Sequence, residues 1–117
     1  MSEWATQNQV IGAAGQLVTD AERIDLAAKR GSAKQLRTIC GGFAYDTGVL
    51  YGVLPSPDRK LTSELNSSMQ DFFHASQACA VAGSTVSPAT NKALARIDRG
   101  LRTLAGARAL LARFGVH

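Results

Sequence analysis

Two serine–proline steps, Ser56-Pro57 and Ser87-Pro88, punctuate this chain. A hydroxyl just ahead of a proline marks a helix start. The serine oxygen takes a free backbone N–H, and the first helical position has no intrahelical use for the N–H that proline lacks. Gly31-Ser32 adds a further break and Ser2 a further start. Between these points apolar residues recur at helical spacing, so the chain reads as four helical segments with short connections. The expected fold is all-α: one domain over residues 1–117, an antiparallel four-helix bundle running up-down-up-down.

Segment one covers residues 3–29, with Val10, Ala14, Leu17, Val18, Ala21, Ile24 and Ala28 on one stripe. Lys29, Arg30 and Gly31 close it with positive charge and a glycine, as the helix dipole and a left-handed cap prefer. Gly12 and Gly15 inside it read as a packing notch. Segment two opens on Ser32, with Gln35 at capping-box spacing. Its stripe is Leu36, Ile39, Cys40, Phe43 and Leu50, and Gly41-Gly42 leaves room for a close neighbour. Gly48, Val49, Gly52 and Val53 weaken helix over residues 47–54, so unwinding before Pro55 is expected. Segment three starts at Pro57 and ends near residue 81, with Leu61, Leu65, Met69, Phe72, Ser76 and Cys79 on one side. Segment four runs from Pro88 to about Phe114, with Leu94, Ile97, Leu101, Leu104, Ala105, Leu111 and Ala112 inward.

A hydrophobic share of 45% lets the chain bury a core that requires neither metal nor disulfide. The net charge of +4 permits acidic partners but is modest for a nucleic-acid binder, so nucleic acid is not the expected partner. No apolar run is long enough to span a membrane. Met1-Ser2-Glu3-Trp4 lacks the basic and apolar regions of a secretory signal. That leaves a cytoplasmic protein, or an extracytoplasmic one whose export signal has been removed.

No HExxH, CxxC, Gly-x-Ser-x-Gly or phosphate-binding glycine loop occurs, nor the Glu-x-x-His pairs of dinuclear bundles. No catalytic residue, metal site or cofactor is expected. Arg108 falls in the middle of the apolar face of segment four on a 100° wheel, and Asp46 near the inward side of segment two. They either reach the bundle end and local backbone, or form a partly buried pair, with Asp25 a further partner for Arg108. Lys92, Arg96, Arg99, Arg102 and Arg113 share the opposite face of segment four, with Leu110 among them. This is a solvated helix face or a surface for phosphate, anionic lipid or an acidic partner. Trp4 and Phe73 lie off their stripes and are candidate interface anchors, though Trp4 fits equally well folded over the bundle end. His74 lies opposite the stripe of segment three, and His117 ends the chain.

Cys40 and Cys79 both sit on apolar stripes. They are two buried thiols acting as small hydrophobes, or one disulfide between segments two and three. A bridge would need part of residues 47–56 to be extended, because helix from Pro57 to Cys79 climbs about 33 Å and residues 40–56 as helix return only about 24 Å.

The run from Cys40 through Pro55-Ser56-Pro57-Asp58, then Leu61, Leu65 and Phe72 to Cys79, resembles small helical proteins of the actinobacterial cell envelope. These are secreted or lipid-anchored and mostly of unknown function. The resemblance spans about forty residues and implies a four-helix fold, a Cys40–Cys79 disulfide and an extracytoplasmic location. It brings no catalytic residues, and this chain departs from the pattern in having no lipobox cysteine at its start. The expectation is therefore a non-catalytic binding or interaction module of the envelope, with a protein partner and a homodimer as one form of it. The alternative is a cytoplasmic binder of nucleic acid or an acidic partner through the basic face of the last helix. A carrier of an apolar ligand is a third reading, which would need a sizeable cavity around Phe43, Met69 and Phe72.

Overall fold

The computed structural model describes all 117 residues. It is all-helical, with five helices: α1 (Ser2–Gln7), α2 (Val10–Lys29), α3 (Ala33–Tyr51), α4 (Arg59–Cys79) and α5 (Pro88–Arg113). Segment one is thus two helices. The break falls at Asn8, whose side chain donates to the Trp4 carbonyl at 2.8 Å, and at Gln9, which takes a left-handed φ of 52°. This separates α1 from the long helix and lets Trp4 and Ala5 turn onto the core.

The start signals hold at two of the three internal breaks. The Ser32 hydroxyl accepts the Gln35 N–H at 3.2 Å, and the Ser87 hydroxyl accepts that of Thr90 at 3.1 Å, with Pro88 opening α5. At the third, the cap is Asp58, not Ser56. Its carboxylate accepts the Leu61 N–H at 2.9 Å, while the Ser56 hydroxyl donates to the Asp58 carbonyl at 2.6 Å in the turn ahead. Aspartate caps as well as serine does and adds a negative charge at the positive end of the dipole. Pro57 therefore precedes the helix.

Burial follows a stricter rhythm than amphipathic helices need. The buried positions of α3 are Leu36, Cys40, Phe43, Thr47 and Leu50. In α4 they include Leu61, Leu65, Ser68, Phe72, Ala75 and Cys79. In α5 they are Thr90, Ala93, Ile97, Gly100, Leu104, Ala107 and Leu111. Val10, Ala14, Leu17, Ala21 and Ile24 continue the pattern in α2. Steps alternate between three and four residues, the 3.5-residue heptad seam that interlocks helices crossing at about 20°. The seam of α5 leaves Ala105 and Ala112 exposed and only half-buries Leu94 and Leu101, against the expected inward set.

Consecutive helices pack on one another and run antiparallel. Arg37 donates to the Ala82 carbonyl at 2.8 Å, Cys40 bonds Cys79, and Phe43 meets Phe72 edge-on at 4.9 Å, so α3 descends as α4 climbs. Ser68 reaches Gly100, and Asp71 reaches Arg96 and Arg99, which sets α4 against α5 in the same way. α5 also approaches α2, while the backbones of the diagonal pairs α2–α4 and α3–α5 stay further apart. The resulting bundle is 42 Å long and 19 Å across.

The glycines expected as notches are not notches. Around Gly12, Gly15, Gly41 and Gly42 a methyl group would meet open space. The close approach is at Gly100, where a Cβ would stand 2.5 Å from the Phe72 ring. The Ser68 hydroxyl donates to the Gly100 carbonyl at 2.7 Å in the same place.

Candidate binding surfaces

The disulfide is present. Cys40 and Cys79 are bonded, with Cα atoms 5.9 Å apart, and neither is exposed. The helix of α3 persists through Tyr51, so the unwinding expected over residues 47–56 is confined to the stretch after it. From Cys40 to Tyr51 the helix covers about 16 Å and from Arg59 to Cys79 about 30 Å. The seven residues 52–58 supply the remainder easily at about 3.3 Å each. The late start of α4 and the extended link together bring the sulfurs level.

The five cations of α5 divide. Asp71 on α4 is buried and takes two of them: Arg96 Nε lies 3.2 Å and Arg99 Nη2 2.5 Å from its Oδ1, and Arg99 Nε donates to Oδ2 at 3.0 Å. The hydrogen bond from Arg99, then that from Arg96, holds the Asp71 carboxyl below its ordinary range against the opposing effect of burial. Arg96 and Arg99 flank the α5 seam, and Asp71 flanks that of α4, the placement through which coiled coils pair charges between helices. Lys92, Arg102 and Arg113 stay exposed and unpaired. A shallow hollow of about 290 Å³ runs between Lys92, Ala95, Arg96, Arg99 and Arg102. With two guanidiniums committed to Asp71, this face is less positive than its residue list suggests.

Of the two readings for Asp46 and Arg108, the buried pair does not form, nor does Arg108 pair with Asp25. Arg108 is exposed, and Asp25 bonds Lys29 one turn along at 2.8 Å. The reason is the seam: a 100° wheel drifts about 20° per heptad from a 3.5-residue pattern, and over α5 this rotates Arg108 onto the wrong face. Asp46, half-buried, meets Asp20 of α2 instead. Asp20 is 4% exposed; Gln16 Nε2 donates to its Oδ1 at 2.9 Å, and its Oδ2 is buried with no donor. Burial, then the hydrogen bond with Asp46, raises the Asp20 pKa to about 6.

Neither proposed aromatic anchor stands free. Trp4 is half-buried against the core, and Phe73 is half-buried with Tyr51 edge-on at 5.7 Å. Leu110 is likewise half-buried, not exposed on the basic side. His74 and His117 are exposed. The exposed apolar side chains are others, chiefly Tyr45 at 74% and, in the α4–α5 connection, Val81 and Val86 at 78% each. Phe43, Met69 and Phe72 are fully buried and pack the space between the helices that a carrier would keep open. The widest hollow, about 560 Å³, lies outside, between the end of α2 and the start of α3.

Asp71, Asp20, Gly100 and this hollow all escape a reading by hydrophobic stripe. The available signal was position: each aspartate sits beside a seam residue, Asp20 next to Ala21 and Asp71 next to Phe72. Compared with known proteins, the chain matches no family model, no curated protein and no solved structure.

Proposed function

We propose that this chain is a non-catalytic binding module, a disulfide-braced helical bundle that works outside the cytoplasm in association with an actinobacterial cell envelope and engages a protein partner there. The Cys40–Cys79 disulfide carries the reading, because such bonds persist in oxidising compartments and are rare where cellular thiols are kept reduced. The groups that come together, Asp71 with two arginines and Asp20 with Asp46, make contacts between helices and do not set a nucleophile beside a base. The exposed Tyr45, Val81 and Val86 supply apolar contact area of the kind interfaces use. A second copy of the chain is one such partner. The cytoplasmic reading through the α5 basic face is the weaker one, since Asp71 already engages Arg96 and Arg99. No helix is long and apolar enough to cross a membrane, so association with the envelope rests on partners or on an anchor.

The test is the redox state of the protein recovered from its native host. Denaturing alkylation followed by intact mass should add nothing until reductant is supplied, then two alkyl groups. Two thiols free from the outset would overturn the proposal.

A further inference from the structure

The groove between the last turns of α2 and the first turns of α3 combines charge and apolar surface in a way the helix seam does not require. Arg23 and Leu26 on α2 and Arg30 at its C-cap line one side, and Lys34 and Ile39 on α3 line the other, of a hollow of about 560 Å³. Ion pairs engage Lys29, Arg96 and Arg99 elsewhere and leave Arg23, Arg30 and Lys34 without a carboxylate partner. No acidic side chain lines the groove. Arg23 feels the Asp20 carboxyl one turn behind it, so Arg30 and Lys34 are the cations left to the groove. Leu26, 46% exposed, presents its side chain where a soluble helix would place a polar one.

We propose that this groove is a binding site for a small amphiphile with one anionic head, phosphate or carboxylate, whose head meets Arg30 and Lys34 while its apolar body lies along Leu26 and Ile39. A hollow of this size suits a ligand with a single short chain. Charge selects the head: an anion gains charge-assisted hydrogen bonds from the guanidinium and the ammonium, and a cation would be repelled. The site uses neither the sulfurs nor the α5 face, although Ile39 adjoins Cys40 on α3, so its failure leaves the reading of function above untouched.

The probe is decyl phosphate below its micelle concentration, titrated into the oxidised protein by calorimetry and by amide NMR shifts. Saturable binding centred on residues of α2 and α3 is expected. The Arg30→Gln/Lys34→Gln double variant should weaken it about a hundredfold, roughly tenfold per charged contact. Arg102→Gln should leave it unchanged. Inorganic phosphate should bind at least about tenfold more weakly, for want of the buried chain. Circular dichroism of each variant, all at exposed positions, confirms the fold. Four results would overturn the site: no saturable binding, equal binding by the double variant, equal binding of decyltrimethylammonium, or binding to anionic lipid vesicles without binding of the monomeric amphiphile.

Discussion

Replacing Asp20 with asparagine should stabilise this protein at neutral pH and do almost nothing in acid. Asp20 is buried on α2, with one oxygen bonded by Gln16 and the other without a donor. Its pKa rises from 3.8 to about 6 on folding. A group whose pKa is raised in the native state binds more protons folded than unfolded between those values, so stability falls as pH rises through that window. Above both values the penalty is complete, and about two units correspond to about 3 kcal/mol. The Arg23 charge is already contained in that shift, so the penalty at pH 7.5 is about 2–3 kcal/mol. Asparagine has the same shape, still accepts from Gln16, and places an N–H where the carboxylate lacked a donor. For a chain of this length 1 kcal/mol moves the melting midpoint by about 4 °C. Asp20→Asn should therefore melt about 10 °C higher at pH 7.5 and within about 2 °C of wild type at pH 4. Thermal and urea unfolding followed by circular dichroism across pH 4–7.5, with the disulfide intact, measures this directly. A variant less stable at pH 7.5, or a difference that does not change with pH, would refute the assignment of Asp20 as a carboxyl whose pKa burial raises.

Other perturbations act on named contacts. Removing the disulfide by the paired change Cys40→Ser/Cys79→Ser frees a loop with a sequence separation of 39, and should cost about 4 kcal/mol by loop-closure entropy, read as a lower urea midpoint. Gly100→Ala forces a methyl against the ring of Phe72, itself fully buried and in edge-on contact with Phe43, and should cost about 1–3 kcal/mol in the same assay. Ser68→Ala, at the same crossing, removes the hydrogen bond to the Gly100 carbonyl and should cost about 1 kcal/mol. Asp71→Asn should cost about 1 kcal/mol at pH 7, the exposure of both arginines keeping it small. Because the Asp71 pKa is lowered on folding, the wild-type contribution is present above the ordinary carboxylate pKa and lost as pH falls through the folded one. The two proteins should therefore converge in acid, as pH falls below the ordinary carboxylate range.

Helix content and the starts of α3 and α5 were legible in the residues. Ser32, Ser87 and Pro88 do what local chemistry predicts, because a cap bond closes within three residues and depends on nothing further away. The inward stripe of α4 was legible too, since Leu61, Leu65, Met69, Phe72, Ser76 and Cys79 are all buried. The choice between Asp58 and Ser56 as cap was not, for both are good caps a few residues apart and the helix position on its neighbours selects one.

What the amino-acid order determined alone is thus the class of fold and where α3 and α5 begin. The tertiary structure decided which face of each helix is the seam. Thr47, Ser68, Thr90 and Gly100 complete the heptads without being hydrophobic, so a stripe traced through hydrophobic residues misses them, and a 3.6-residue wheel turns away from them. The same rotation exposed Arg108, set Asp46 against Asp20 and gave Asp71 its two arginines. It also chose between free thiols and a disulfide. Periodicity places a cysteine on a face, but whether two sulfurs meet depends on the summed rise of two helices and the span of the link between them. That sum exists only once the helices have packed.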